Sequence, residues 1–508
     1  MNKLYYGDNL EILRRDIDKN SIDLCYIDPP FNSKRNYNQI YNNIGQEDKA
    51  QAQAFVDTWE WDEYAEDGFN QILGNANNAF TKQNIELILG LSKVLGKGSL
   101  LAYLVHMTLR IAEIYRVLKP TGSFYLHCDP TASHYLKLVI DTIFCSKGGD
   151  FRNEIIWHYP GRERLSNYKF QSKHDIIFFY SKTDGTKINP ITKKWDKKDR
   201  IKMLRRKIHT DENGKEWFWE TRGQANGVEK YKKFLDEYLD KGGALNDVWD
   251  DIQFLRGNHP ERMGYPTQKP AELLERIIRA SSKEGDIILD AYCGCGTSVA
   301  AAQNLNRKWI GIDITYQSIS LILKRLSETF GEAVLDNIEL NGIPKDIASA
   351  VALANKKDDR TRKEFEKWAV LTYSNNKALI NEKKGADHGI DGIAYIMEGA
   401  DLFRDVLFSV KSGHSSLSHF RDFCHVVTRD KAAIGIYLTL DEPTKPMRTE
   451  ATKMGKYINP LTEQEFDKVN IVTVRQILDG ERLNIPTSVN VLKKAELTKN
   501  NNQHKLDF

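Results

Sequence analysis

The stretch DIILDAYCGCGTSVAAAQNLNRKWIGIDI (residues 286–314) spells out a complete structural unit. DIILDAY is an apolar run of strand length, the glycines of CGCGT interrupt it, SVAAAQNL has the composition of a helix, and KWIGIDI is a second strand. Strand, helix and strand within about 30 residues describe a right-handed βαβ unit of an open, mostly parallel sheet. The turn also carries chemistry. Gly294 and Gly296 let the backbone approach a ligand and adopt positive φ, and the helix that follows offers unpaired N–H groups. Asp290 stands at the end of the first strand, and Asp313, seventeen residues after Gly296, ends the second, where a carboxylate reaches ribose hydroxyls. The pattern reads as a nucleoside site. A lone GxG also fits a turn that is merely tight, and the third glycine of a dinucleotide fingerprint is missing.

Outward from this unit the alternation continues. YPTQKP (265–270) leads into the helical AELLERIIRAS, and at the other end of the chain LYYGD and NLEILRRD read as a strand and an amphipathic helix. SIDLCYIDPPF (21–31) is a strand buried on both faces that stops at Asp28-Pro29-Pro30-Phe31. Two consecutive prolines fix φ twice and remove two N–H donors, so the loop presents acceptors in a stiffened geometry. LAYLVHMTLRIAEIYRVLKPTG has helical spacing up to Pro120 and Gly122, SFYLHCD is strand-like, and TASHYLKLVIDTIF is helical again.

From about residue 150 to 260 the composition loosens, with the strand-like NEIIWHY and HDIIFFYSK among polar loops, as though a region were inserted. Net charge over the chain is only +3, yet residues 152–234 hold 21 Lys and Arg against 11 Asp and Glu. KKWDKKDRIKMLRRK (193–207) is its densest part, with nine basic residues in fifteen, and Trp157, Tyr159, Tyr168, Trp195, Trp217, Phe218 and Trp219 are interleaved around it. Basic residues with aromatics suit a polyanion whose bases can be stacked upon; a solvated basic face is the plainer alternative.

A chain of 508 residues that is 41% hydrophobic and 28% charged has room for two or more domains. Its first residues lack a signal peptide's basic and apolar regions, and no uncharged apolar run is long enough to span a membrane, so a cytoplasmic protein is expected. The six cysteines include no CxxC pair and are expected reduced; Cys293-Gly294-Cys295 alone is loop filler more often than a metal site. GLSKVLGKG (90–98) imitates a phosphate-binding loop, but five residues rather than four separate Gly90 from Gly96, and Gly98 follows Lys97 where Ser or Thr is required. His127, Asp129 and His134 in HCDPTASHYL suggest a metal, with a strand end and helix cap as the better reading. The charged NKKDDRTRKE (355–364) marks a boundary, after which EFEKWAVLTYSN is helix-like and GIAYIMEG, DVLFSVKSG and AAIGIYLTL are strands. The organisation expected is residues 1–345, a linker over 346–360, a second domain over 361–485 and a polar tail over 486–508.

Asp28-Pro29-Pro30-Phe31, YPTQKP and LDAYCGCGTS together resemble the catalytic, cofactor-flanking and cofactor-binding motifs of amino-DNA methyltransferases that use S-adenosylmethionine. Their order, with DPPF first and the glycine-rich motif last, is similar to the circularly permuted β class, over about residues 1–345. The resemblance implies a Rossmann-like α/β fold with circularly permuted motif order and an inserted target-recognition region, acting on a base flipped out of double-stranded DNA. It implies that Asp28 and the Pro29 carbonyl accept hydrogen bonds from the exocyclic amine, that Pro30 stiffens the loop, and that Phe31 stacks on the extruded ring. Asp290, Tyr292, Gly294, Gly296 and Asp313 are then cofactor residues, with Thr267 and Lys269 beside the methionine moiety and Asp8 near the adenosine; a helix N-cap is the rival reading of Asp8. Tyr292 departs from the family's usual phenylalanine, and its hydroxyl needs a partner if buried. DPPF tetrads go with adenine N6, cytosine N4 being the alternative.

GADHGIDGIAYIMEG followed by DVLFSVKSG resembles the Mrr-type branch of the PD-(D/E)xK restriction-endonuclease fold, an α/β domain. That resemblance implies Asp391 as the acid holding a divalent ion such as Mg²⁺ and Lys411 as the lysine of the site. Ser409 stands where the pattern has Glu or Gln and is a weak ligand for a hard cation, so a nuclease and a non-cleaving DNA-binding remnant both remain open. The expected setting is restriction–modification or phage defence, with a homodimer and restriction or defence subunits as candidate partners and no membrane association.

Overall fold

The computed structural model describes residues 1–485 except 31–34, 39–52, 58, 76, 160, 162–167, 169, 194, 225–226, 257–258, 264, 266, 356–358, 382–388, 400–401 and 414. In the first 345 residues the strands that matter are β1 (Asn2–Tyr6), β2 (Ile22–Ile27), β3 (Leu118–Cys128), β4 (Asp150–His158), β5 (His174–Ser181), β6 (Glu216–Gln224), β7 (Gly227–Phe234), β8 (Val248–Trp249), β9 (Ile287–Asp290), β10 (Lys308–Asp313) and β11 (Ile338–Asn341). Nine of them make one sheet in the order β8-β4-β5-β3-β2-β9-β10-β1-β11. Only β5 runs antiparallel to its neighbours. The late-encoded β9 and β10 therefore lie between β2 and β1, the first strands of the chain.

Helices cover both faces. α1 (Asn9–Asp16), α2 (Ser99–Val117) and α3 (Ser133–Ile143) pack on one, and α4 (Ala271–Ser281), α5 (Thr297–Asn304) and α6 (Tyr316–Phe330) on the other. β2 explains why its sequence is apolar throughout: Leu24 and Tyr26 enter one core, Cys25 and Ile27 the other. Leu24 and Ile27, both fully buried, each contribute roughly 1.5–3 kcal/mol. α2 ends at Val117, earlier than the Pro120 and Gly122 signals, because Lys119 precedes a proline and is driven to extended backbone, which lets β3 begin at Leu118.

Two boundaries differ from the sequence reading. NEIIWHY and HDIIFFYSK, placed inside the inserted region of about 150–260, are β4 and β5 of the central sheet, where Ile155, Trp157, Ile177 and Phe179 are buried. What stands apart from that sheet is a smaller unit built on the β6–β7 hairpin and the short strand His209–Thr210, with Phe218, Leu235 and Tyr238 as its own core. The 346–360 linker is largely the helix α7 (Ile347–Ala354), opened by an Asp346–Ser349 capping box and buried at Ala350, Leu353 and Ala354. Its apolar face has somewhere to pack: α8 (Asp359–Tyr373).

Beyond α8, β12 (Leu379–Ile380), β13 (Gly392–Met397), β14 (Phe403–Lys411), β15 (Ile434–Thr439) and β16 (Val469–Thr473) form a second sheet in that order, parallel from β14 to β16 and antiparallel before it. α9 (Leu417–Arg429) packs on β15. The two sheets share one buried apolar cluster that runs from Tyr6 and Ile319 through Phe365 and Trp368 to Phe408. The polar tail expected over 486–508 lies outside the described residues. No helix among the described residues is long and apolar enough to cross a membrane.

Candidate active site

β2 and β9 are neighbours in register, Leu24 beside Ile288 and Cys25 beside Leu289, so Asp28 and Asp290 emerge at the same edge of the sheet. This is the carboxyl edge, where open parallel sheets meet ligands. The Asp28 carboxylate is divided. Its Oδ2 accepts a 2.7 Å hydrogen bond from Nζ of Lys269, while its Oδ1 is buried with no hydrogen-bond partner among the described residues. Leaving a buried acceptor unmet costs about 1–3 kcal/mol, so Oδ1 is an acceptor suited to a donor brought by a ligand. Pro29 is buried beside it, Pro30 half-buried, and Phe31 lies outside the described residues.

Lys269 is delivered by a braced segment. Oε1 of Glu261 accepts the Ala271 N–H at the start of α4 (2.8 Å) and pairs with Nη2 of Arg325 from α6 (3.3 Å), whose Nη1 donates to Thr297 Oγ1 (2.9 Å). Gln268 closes the loop between them, donating to the Glu261 carbonyl (2.7 Å) and accepting the Met263 N–H (2.8 Å). Glu261 and Arg325 are both almost fully buried, and burial holds the Glu261 carboxyl above its ordinary range despite the guanidinium. Thr267 lies half-buried in the same segment.

A polar chain absent from the sequence reading sits behind Asp28. The hydroxyl of Tyr26 lies 3.0 Å from Nδ1 of the fully buried His127, Nε2 of His127 lies 3.1 Å from Oδ2 of Asp175, and the Tyr159 hydroxyl donates to Asp175 Oδ1 (3.0 Å). Burial opposes ionisation of Asp175, but the His127 and Tyr159 hydrogen bonds and the Lys269 charge outweigh it and hold its carboxyl below the ordinary range. His127 stands at the end of β3, as expected, and its ring also joins this network, which only the three-dimensional approach of β2, β3 and β5 reveals. Asp129, by contrast, caps the turn at Thr131.

Around the glycine turn the carboxylates knit the loop. Asp290 accepts the Tyr292 N–H (3.0 Å) and the Ser298 hydroxyl, and burial raises its carboxyl from 3.8 to about 7. Asp313 accepts the N–H and hydroxyl of Thr315 on Oδ1 (3.0 and 3.1 Å) and the Gly294 N–H on Oδ2 (2.9 Å); burial raises it to about 6. Gly294 and Gly296 have φ of +49° and +74°, the left-handed values their positions required. α5 begins with no side-chain cap, leaving first-turn N–H groups for a ligand. The Tyr292 hydroxyl finds its partner in Nε2 of His106 (3.0 Å), and burial raises it to about 12. Asp8 is an N-cap, as its rival reading held: Oδ1 accepts the Leu10 N–H (2.8 Å) and Oδ2 pairs with Arg110 (2.8 Å). Arg110 also bonds Asn9, whose amide donates to the Ala291 carbonyl (2.8 Å), tying the ends of β1 and β9 together.

In the C-terminal region Asp391 immediately precedes β13 and Lys411 ends the adjacent β14, but Oδ2 of Asp391 accepts the Val410 N–H (2.7 Å) and the Ser409 hydroxyl turns to the Gly389 carbonyl (2.8 Å). No group of three or more His, Cys, Asp or Glu among the described residues could hold a metal ion. Of the aromatics near the basic region, Trp157 and Phe218 are core, whereas Tyr168 and Trp219 are exposed and Lys232 lies 4.5 Å over the ring of Trp217.

Residues 22–324 match a family model described as DNA methylase, of the N6/N4 type, and residues 362–479 match one described as NACHT-associated inactive restriction endonuclease 1. The type II methyltransferase M.BglII of Bacillus subtilis is 26% identical over 334 residues, which are 64% of this chain and 69% of that protein. The DNA adenine methyltransferase YhdJ of Escherichia coli (strain K12) is 25% identical over 324 residues, 64% of this chain and 82% of its own length. Among solved structures, the PvuII DNA methyltransferase (cytosine-N4-specific) aligns with 67% of this chain and 95% of its own at 16% identity and a TM-score of 0.36.

Proposed function

The chain belongs to the N6/N4 family of DNA methylases, and from that premise we propose that it transfers a methyl group from S-adenosylmethionine to N6 of an adenine turned out of double-stranded DNA. The observation that carries this reading is the buried Oδ1 of Asp28, which meets no hydrogen-bond donor among the described residues. An exocyclic amine is a weak nucleophile because its lone pair is delocalised into the ring, and two acceptors on its hydrogens help restore that lone pair. Asp28 Oδ1 supplies one and the Pro29 carbonyl the other, while Lys269 fixes the orientation of the carboxylate by holding Oδ2. The cofactor, when bound, supplies an electrophilic sulfonium methyl. The loop 290–298 fits such a ligand with two positive-φ glycines, a half-buried aromatic at Tyr292 and uncapped N–H groups at α5. As the methyl bonded to N6, its C–S bond would break to leave the neutral thioether of the spent cofactor, and the positive charge developing on the amine would face the Asp28 carboxylate, which would take the proton the amine sheds.

Adenine is favoured over cytosine N4 by the DPPF tetrad and by a relative named as an adenine methyltransferase. Incubating the protein with methyl-labelled S-adenosylmethionine and duplex DNA, then digesting to nucleosides, tests both points. N6-methyladenine that disappears in Asp28→Ala is expected; N4-methylcytosine would reverse the base assignment, and Asp28→Ala with wild-type transfer would sink the mechanism.

The C-terminal region is inferred to be a non-cleaving relative of restriction endonucleases. Asp391 already serves the Val410 backbone, Ser409 provides no carboxylate, and the matching family is described as inactive. Plasmid DNA with Mg²⁺ is expected to stay supercoiled; nicking that is lost in Asp391→Ala would overturn this.

A further inference from the structure

One carboxylate of the C-terminal region reaches into the wall behind Asp313. Glu364, on α8, is 7% exposed. Its Oε2 accepts the backbone N–H of Tyr316 (3.0 Å) and the hydroxyl of Tyr6 (3.4 Å), and its Oε1 pairs with Nζ of Lys367 (3.0 Å). Both donors flank the cofactor acid. Tyr6 ends β1 opposite Asp313 in the ladder, and the next residue, Gly7, donates its N–H to the Asp313 carbonyl (2.9 Å). Tyr316 opens α6 three residues after Asp313, next to the Thr315 whose N–H and hydroxyl hold Asp313 Oδ1.

The chemistry of the contact is specific. The Tyr316 N–H is a first-turn donor without an intrahelical partner, and a negative charge at a helix N-terminus is favourable. Thr315 already spends its hydroxyl on capping Ser318, so Glu364 serves a second donor of the same turn from another part of the chain. The contact is reinforced nearby: the hydroxyls of Tyr316 and Thr372 lie 2.9 Å apart, and the rings of Tyr6 and Tyr316 meet edge to face at 6.2 Å. Burying a carboxylate is costly, so the site's tolerance of one rests on these donors and on Lys367.

We propose that Glu364 is a positioning residue for Asp313, and that the C-terminal region is thereby a working part of the cofactor-side wall, coupling its own state to cofactor affinity. This rests on the reading of Asp313 as a cofactor residue. Coupling of this kind is reciprocal, so cofactor binding stiffens α8 just as Glu364 supports the cofactor.

Full-length wild type, Glu364→Ala and Glu364→Gln are compared by calorimetric titration with S-adenosylmethionine, by KM and kcat, and by thermal melting. In Glu364→Ala the cofactor Kd and KM are expected to rise about tenfold, with kcat within about twofold, at temperatures where the variant is fully folded. Glu364→Gln keeps the acceptor oxygen and is expected to recover most of that affinity. A second measurement needs no variant: hydrogen exchange over residues 363–373 of the wild type is expected to slow when S-adenosylmethionine is added. A lowered Tm with unchanged cofactor Kd in Glu364→Ala overturns the proposal, as does unchanged exchange in that segment at saturating cofactor. Should the wild type itself bind no S-adenosylmethionine, the cofactor reading fails instead, and the two failures are distinct.

Discussion

Lys269 and Asp28 are 241 residues apart in sequence and 2.7 Å apart in space, each largely screened from solvent, so Lys269 cannot be removed without stranding the Asp28 charge. Lys269→Met is therefore expected to lower methyl transfer by at least about a hundredfold and to cost roughly 3–5 kcal/mol of stability, read by urea unfolding, because an unpaired buried carboxylate remains. Asp28→Asn keeps the shape and removes that charge, so its stability loss is expected to be smaller even though transfer is also lost. Asp290 makes the opposite kind of case. Its folded carboxyl is raised from 3.8 to about 7 by burial, so between about pH 4 and 7 the folded state keeps a proton that the unfolded chain has shed. Stability of the cofactor-free protein accordingly falls as pH rises through that window. Asp290→Asn removes the penalty and is expected to raise Tm at pH 8 by the equivalent of up to about 4 kcal/mol, with little gain at pH 4. Asp28 and Asp290 were legible in sequence because each ends an apolar run at a motif. Lys269's attachment to Asp28 was not: the resemblance places the lysine beside the methionine, and a contact across 241 residues leaves no local pattern.

The glycine loop and the segments that brace it act as units. A Cβ on Gly296 would stand 2.7 Å from Cγ1 of Ile322 on α6, at a φ of +74°. Gly296→Ala is expected to cost about 1–3 kcal/mol in thermal stability and to weaken cofactor binding by calorimetry, since α5 must move from its seat. The apolar periodicity of β1, β2, β9 and β10 announced these elements, and all four formed within a residue or two of their expected bounds. β4 and β5 misled because their neighbours in sequence are basic loops, while their own Ile155, Trp157, Ile177 and Phe179 follow the sheet. α7 was hidden for the same reason: charged residues just beyond it drew the boundary, although IASAVALA is apolar enough to pack. Glu261 and Arg325, which deliver Lys269, bear no motif; only a buried ion pair marks them.

Across the whole molecule, a single apolar cluster passes from the nine-stranded sheet through α6 and α8 into the second sheet. Heating is expected to give one calorimetric transition with van't Hoff and calorimetric enthalpies in agreement; two separated peaks would mean that the halves melt independently. The sequence reads as two α/β regions, and the core they share is carried by side chains such as Phe365 and Trp368 that read as an ordinary helix face. The strand order has one more consequence, for the protein's birth on the ribosome. β1 and β2 leave the exit tunnel well before their partners β9 and β10, which are not synthesised until residues 287–313. At about 5–20 residues per second, the nascent chain carries unpaired strand edges for roughly 15–60 s. A translational pause before residue 287 lengthens that exposure, and trigger-type chaperones gain a binding window that a chain built in sheet order would never open.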